Sequence, residues 1–271
     1  MTADLHIHTT ASDGRFAPAQ IIEQALEAGL SYIAITDHDT VDGLLQLAEL
    51  KQSIPSSLVV IPGIELSTDL PDNEVHILGY FIDVFNSELR RQLDILVAHR
   101  RERTKQIVSK LNQLGYLITY QRVLELAQQA TAIGRPHIAK ALVEKKYFAS
   151  IADVFTTLLD KNGLAYVPHY KLTPQQVIDL IKKTGGLPVL AHPGLVGNDH
   201  IVLDMIDAGI VGLEVYHPRH DEQQIQKYRA LATKHELAIT GGSDFHGIVG
   251  RFPDKLGVCT IPVKLICQLK K

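Results

Sequence analysis

Apolar and polar residues alternate along Asp4-Leu5-His6-Ile7-His8. That is the period of a strand. It predicts Leu5 and Ile7 on one face and His6 and His8 on the other, about 7 Å apart along the chain. The period then becomes helical over Pro18–Leu30, where Ile21, Ile22, Ala25, Leu26 and Ala28 form a stripe opened near Pro18 and closed by Gly29. Tyr32–Thr36 reads as a second strand, Asp42–Leu50 as a second helix, and Leu58–Ile61 as a third strand leading through Pro62-Gly63 to Ile64-Glu65. After the polar turn Pro71-Asp72-Asn73, Val75–Tyr80 is a further strand. This alternation predicts a parallel sheet with helices outside it.

From residue 87 to 184 the texture changes. Long charged side chains dominate Glu88–Leu114, and shorter helical patterns follow at Gln121–Gln129, Pro136–Glu144 and Ile151–Leu159. The sheet then resumes with Leu187–Ala191, ending at His192-Pro193, and Val211–Tyr216, ending at His217. Leu237–Thr240 ends at Gly241-Gly242-Ser243-Asp244-Phe245-His246, and Gly257–Ile261 is expected as a last strand. Helices are predicted over Thr173–Thr184, His200–Ala208 and Asp221–His235. The expected organisation is one barrel-sized domain from residues 1–86 and 185–271. A mainly helical insertion, 87–184, would form a substrate-covering subdomain, and its outer helices could join the barrel's ring.

Composition narrows the function classes. At 271 residues and 45% hydrophobic the chain can bury a large core, and no apolar run approaches a membrane span or a signal peptide, so a cytoplasmic location is expected. Cys259 and Cys267 stand near the C-terminus and suggest neither a disulfide scaffold nor a thiolate metal site. A formal charge of -3 gives no global attraction to nucleic acid, and no stable binding of duplex DNA is expected. Histidine is the unusual entry. There are 13, in a chain with no Trp and two Met.

Strand after strand closes on a His, Asp or Glu, and in a closed parallel barrel those ends converge on one mouth. His6, His8, Asp13, His38, Glu65, His76, His192, Asp244 and His246 would then face a single cleft. Any one alone is better read as a turn or capping residue; together they read as a metal site. Their number exceeds what one cation takes, so two or three divalent metals sharing carboxylates are implied, manganese first, with iron or zinc as alternatives. Three dications against Asp13, Glu65 and Asp244 leave positive charge for a bridging hydroxide, the nucleophile, and a phosphate dianion.

These residues resemble the polymerase and histidinol phosphatase (PHP) superfamily. The likeness is carried by Asp4-Leu5-His6-Ile7-His8, Ser12-Asp13-Gly14, Thr36-Asp37-His38-Asp39, Gly63-Ile64-Glu65, Val75-His76-Ile77, Ala191-His192-Pro193 and Ser243-Asp244-Phe245-His246. It implies a distorted (β/α)7 barrel, an α/β fold, with up to three metals at its mouth and hydrolysis of phosphoesters. By position it implies one site from His6, His8, Glu65 and Asp244, a second from Asp13, His38 and His246, and a third from Glu65, His76 and His192. No ligand is missing.

Length and insertion look most like stand-alone bacterial enzymes acting on nucleoside 3′,5′-bisphosphates and, as 5′-3′ exonucleases, on short RNA. Gly134-Arg135-Pro136-His137 adds a physical reason: Pro136 suits a first helical turn, so Arg135 and His137 would flank a helix N-terminus that favours phosphate. His217 is a candidate to bind the scissile phosphate or protonate the leaving oxygen. Arg15, Arg219 and Arg251 read more readily as solvated charges, and His99, His200 and His235 receive no role. Competing readings are a histidinol-phosphate-type phosphatase, an amidohydrolase-like enzyme cleaving C–N bonds, and a non-catalytic PHP module. Three cations suit a phosphate dianion better than a neutral amide.

Overall fold

The computed structural model describes residues 1–49, 54–70, 74–128, 130–168, 170, 172–248 and 253–269. The strands are β1 (Thr2–Ile7), β2 (Tyr32–Ile35), β3 (Val59–Asp69), β4 (Glu74–Tyr80), β5 (Leu187–Leu190), β6 (Gly212–Tyr216), β7 (Ala238–Gly241) and β8 (Ile261–Pro262). They form one sheet in the order β7-β6-β5-β4-β3-β2-β1-β8. A parallel bridge between Ile7 and Phe245 draws the two ends together, with His8 N–H donating to Phe245 O at 2.9 Å, so the sheet curls into a nearly closed barrel.

The interleaved helices are α1 (Pro18–Glu27), α2 (Asp42–Glu49), α7 (Pro174–Lys183), α8 (Asp199–Asp207) and α9 (Glu222–Lys234). Between β4 and α7 lie α3 (Ser87–Gln113), α4 (Tyr120–Ala127), α5 (Arg135–Glu144) and α6 (Ile151–Val154), the last continuing into a π-helical turn over Phe155–Leu159. The start of α3 (Leu89, Leu93, Leu96) and α7 pack on the same apolar cluster as β3 to β6, as do α8 and α9. Ile107 to Val167 instead bury a separate cluster centred on Ile138, Leu142, Leu158 and Leu159. No described helix is long and apolar enough to cross a membrane.

The expected all-parallel sheet requires correction. β3 and β4 pair antiparallel, and so do β4 and β5. The reason is chain length: a parallel crossover needs a dozen or more residues, whereas only residues 70–73 separate β3 from β4. The reversal puts the N-terminal end of β4 at the mouth, and His76 is near that end. The predicted turn Pro71-Asp72-Asn73 itself, Leu50, Gln129 and Arg251 lie outside the described residues. A second correction concerns Gly257–Ile261, of which only Ile261 is strand; β8 is two residues long and runs antiparallel to β1.

The third correction lies in β1. Its register against β2 slips between Asp4 and Ile7, a bulge of the kind common beside active sites. Strict alternation is broken there. Leu5 packs with Ala3, Ala34, Leu78, Tyr80 and Val189, while Ile7 packs outside with Ile21, Ile22 and Phe245 against α1. The Tyr80 hydroxyl, fully buried, donates to Leu5 O at 2.9 Å within this irregular stretch. Tyr80→Phe is therefore expected to lower the unfolding free energy by about 1–2 kcal/mol, since it strands a buried carbonyl while keeping the ring; urea unfolding of the two proteins measures it.

Candidate metal centre

Parity along the strands decides what reaches the mouth. On β4, Leu78 and Tyr80 join the interior cluster and Ile77 the outer one, which places His76 on the interior side. On β6, Leu213 and Val215 face outward, so Glu214 faces inward. β3 likewise turns Ile64 and Leu66 out and Glu65 in. His38 follows β2 and bridges Glu65 backbone to backbone, while His192 and the pair Asp244 and His246 follow β5 and β7.

All nine predicted ligands meet. Glu65 is the centre. Its Oε2 lies 3.2 Å from His6 Nε2, 3.2 Å from His8 Nε2 and 3.1 Å from His38 Nδ1. Its Oε1 lies 2.8 Å from His76 Nδ1 and 3.2 Å from His192 Nε2. Asp244 Oδ1 lies 3.4 Å from His6 Nε2 and 3.2 Å from His8 Nε2, and Asp13 Oδ1 is 3.2 Å from His246 Nε2. Three groups have donor atoms within 4.8 Å of one another: His6, His8, Glu65 and Asp244; His8, Asp13, His38 and His246; and His38, Glu65 and His76. Relative to the expected sets, His8 and His38 each serve a second group, and His192 reaches the third through Glu65.

The donors fit divalent cations. His6 Nε2, both nitrogens of His8, His38 Nδ1, Asp13 Oδ1 and Glu65 Oε2 are buried and make no hydrogen bond of good geometry among the described residues, although they converge. Imidazole and carboxylate lone pairs aimed at shared points, with no donor between them, suit a nitrogen- and oxygen-bound metal. Electrostatics agree. Burial alone would raise Glu65, Asp13 and Asp244, but His38, His6 and His76 around Glu65, His246 and His38 around Asp13, and His6 around Asp244 hold all three well below the usual carboxylate range. Burial pushes His8 down, yet Asp244 and Glu65 outweigh it and raise the imidazole to about 10. The carboxylates demand positive charge, and bound cations would supply it in place of protons.

A ring of buried acids orients these ligands, and the sequence reading missed it. Glu214 Oε1 accepts from His6 Nδ1 at 2.9 Å, and its Oε2 accepts from His192 N–H at 2.7 Å. With the hydrogen on Nδ1, the Nε2 lone pair of His6 is left for a metal. Asp37 accepts from Thr9 N–H and Thr9 Oγ1, both at 2.7 Å, and from Ser12 Oγ at 2.5 Å, fixing the loop that presents Asp13. Asp4 accepts from Ser243 N–H at 2.8 Å, Ser243 Oγ at 2.6 Å and Gly257 N–H at 3.0 Å; burial nonetheless lifts its carboxyl to about 6. The available signal was an acid inside an apolar strand, Gly212-Leu213-Glu214-Val215-Tyr216. Close approach matters too: a Cβ on Gly242 would lie 2.4 Å from His6 N, so only glycine lets the Asp244 loop rest on β1. His192 (φ 28°) and Asp244 (φ 49°) hold left-handed backbone, a local strain that the surrounding hydrogen bonds sustain.

The non-metal candidates divide. Arg135 lines the cleft above the cluster together with Arg100, Arg103 and Arg219. Its guanidinium sits 5.7 Å from the centre of the Phe155 ring and donates to Leu159 O at 3.3 Å. His137 is 2% exposed, and its Nδ1 accepts from Gly134 N–H at 3.1 Å, so it caps its own helix. Burial holds it down to about 4 and hence neutral. His217 is also buried; its Nδ1 accepts from Arg219 N–H at 3.2 Å, which leaves a hydrogen on Nε2, 3.5 Å from Asp244 Oδ2. That contact orients a ligand carboxylate. His220, unassigned from sequence, donates from Nδ1 to Val215 O and accepts from Gly194 N–H, pinning the turn after His192.

Glu214→Gln can no longer accept at both oxygens. Metal affinity, titrated against elemental content, is expected to fall about 10- to 100-fold with the fold retained.

Residues 4–184 match the family model described as the PHP domain. The chain is 31% identical over 256 residues to phosphoribosyl 1,2-cyclic phosphate 1,2-diphosphodiesterase of Eggerthella lenta, covering 93% of this chain and 97% of that one. It is 34% identical over 248 residues to the 5′-3′ exoribonuclease Rnm of Salmonella typhimurium (90% and 84% covered). It is 30% identical over 250 residues to the 3′,5′-nucleoside bisphosphate phosphatase of Chromobacterium violaceum (90% and 86% covered). A crystal structure from Bifidobacterium adolescentis, described provisionally as a metal-dependent phosphoesterase, superposes with a TM-score of 0.89 at 32% identity, covering 98% of this chain and 94% of its own. With fold, ligand constellation and relatives in agreement, the chain belongs to the PHP domain family.

Proposed function

We propose that this protein is a metal-dependent phosphoesterase whose substrates are phosphate esters of nucleotides, namely nucleoside 3′,5′-bisphosphates and the 5′ ends of short RNA. One observation carries the reading: three ligand groups, joined pairwise through His8, His38 and Glu65, lie at the base of a cleft whose other lining includes Arg100, Arg103, Arg135 and Arg219. Carboxylates and imidazoles below and guanidinium groups above suit a polyanion held between them. His6, His8, Asp13, His38, Glu65, His76, His192, Asp244 and His246 would hold two or three divalent cations, manganese being the first choice to test. Such cations supply a hydroxide near neutral pH and offset charge on the phosphoryl oxygens.

The chain's own residues do the rest. Glu214, Asp37 and Asp4 fix the ligand side chains and loops. Arg135, braced by Phe155 and Leu159 O, is placed to grip a second phosphate, the feature that separates a bisphosphate from a simple ester. His217, hydrogen-bonded toward Asp244, keeps that carboxylate aligned beside the position where it would meet the scissile phosphate. The relatives' names favour nucleotide and ribose phosphates over histidinol phosphate, and the Eggerthella protein's name adds a cyclic ribose phosphate diester to the panel to be assayed.

Asp13→Asn is expected to cut turnover by at least about 100-fold with little change in thermal stability, because a ligand charge is lost while packing is kept. Steady-state kinetics at saturating manganese, with metal analysis, checks it; unchanged turnover removes Asp13 from the site. Arg135→Ala is expected to raise KM for a nucleoside bisphosphate about tenfold or more while barely altering KM for an aryl phosphate. Equal effects on both substrates would refute the second-phosphate role.

A further inference from the structure

Arg100 enters the cleft from α3 and is only 8% exposed. Its Nε and Nη2 each lie 2.6 Å from Asp39 Oδ2. Asp39 is itself immobilised: its Oδ1 accepts from Ser67 N–H at 3.3 Å, and its own N–H donates to Glu65 O at 3.0 Å. It also follows His38 directly and sits in left-handed backbone at φ 51°. The guanidinium is thus tied through one carboxylate to the two residues, His38 and Glu65, at the heart of the metal centre.

One nitrogen is left over. A guanidinium carries five N–H donors in a rigid plane, and Asp39 engages only the Nε and Nη2 side. Nη1 meets no acceptor among the described residues, although the side chain is more than nine-tenths buried. Space has been left beside it. A Cβ on Gly134, the residue that opens α5, would stand 3.5 Å from Nη1. The cleft that Arg100 lines opens over Glu65, Asp13 and Asp244, and an anionic ligand there would engage the unused donors.

We propose that Arg100 is a substrate-binding residue whose Nη1 donates to an oxygen of the phosphate undergoing hydrolysis, with Asp39 as the positioning residue that sets its direction. The proposal rests on the phosphoesterase reading and differs from the role given to Arg135. Arg135 discriminates a second phosphate. Arg100 serves every substrate, including one with a single phosphate.

The test is calorimetric binding of inorganic phosphate to the full-length, manganese-reconstituted protein, with metal content measured on the same samples. Arg100→Lys keeps a cation against Asp39 but has no rigid fork to present outward. It is expected to weaken phosphate binding about 10- to 100-fold at unchanged metal content, and to raise KM for an aryl phosphate. Wild-type phosphate affinity in Arg100→Lys overturns the proposal and leaves the phosphoesterase reading intact. If that variant does not fold, the neutral pair Asp39→Asn with Arg100→Gln preserves packing without a stranded charge, and the same loss is expected. Undiminished phosphate binding there also overturns it. Absence of phosphate binding in the metal-loaded wild type overturns both readings.

Discussion

A single buried carboxylate, Glu65, faces five imidazoles at once, and the mouth of the barrel is built round that contact. His6, His8 and His38 stand within 3.2 Å of one oxygen, and His76 and His192 within 3.2 Å of the other. Burial of an anion is costly, and clustering of imidazoles is costly if they are protonated. The arrangement resolves when cations sit among the lone pairs, so the same geometry that is electrostatically frustrated as bare protein becomes a multidentate site. Residues from β1, β2, β3, β4 and β5 share this one atom group, so the register of the sheet and the chemistry of the centre are one constraint.

The departures from a regular barrel serve that constraint. Reversal of β4 delivers His76 from the start of a strand where a parallel strand would have to deliver it from its end. The slip in β1 lets Leu5 fill the interior beneath His6 while Ile7 leaves for the α1 layer. Left-handed backbone at His192 and Asp244 aims both side chains back over the mouth, and Glu214 holds the first of these turns by its N–H. The slip in β1 is met by the buried hydrogen bond from the Tyr80 hydroxyl to Leu5 O, and the turn at His192 by Glu214.

The rest of the cleft lining comes from other parts of the chain. The candidate metal ligands come from the barrel, whereas Arg100 and Arg103 come from α3 and Arg135 from α5. Helices α4 and α5 rest on an apolar cluster separate from the one behind the sheet, whereas α3 contributes to both. Relatives named for a cyclic diester, a bisphosphate and an RNA end are consistent with that division.

Most of the metal centre was legible in the chain because strand ends are short-range features. A run of apolar residues that stops at His or Asp announces a candidate position whatever its neighbours are, as at His38, His192 and Asp244, and strict alternation announces His6 and His8 in the same local way. Helix periods fixed the outer layer for the same local reason. What tertiary structure alone decided depended on partners far apart in sequence. Glu214 gains its meaning from His6, 208 residues away, Arg100 from Asp39, 61 residues away, and Asp4 from Ser243, 239 residues away. The direction of β4 and the contacts of His217 with Asp244 belong to the same class. A side chain's spacing says which face it occupies, but what that face meets is set by closure of the barrel.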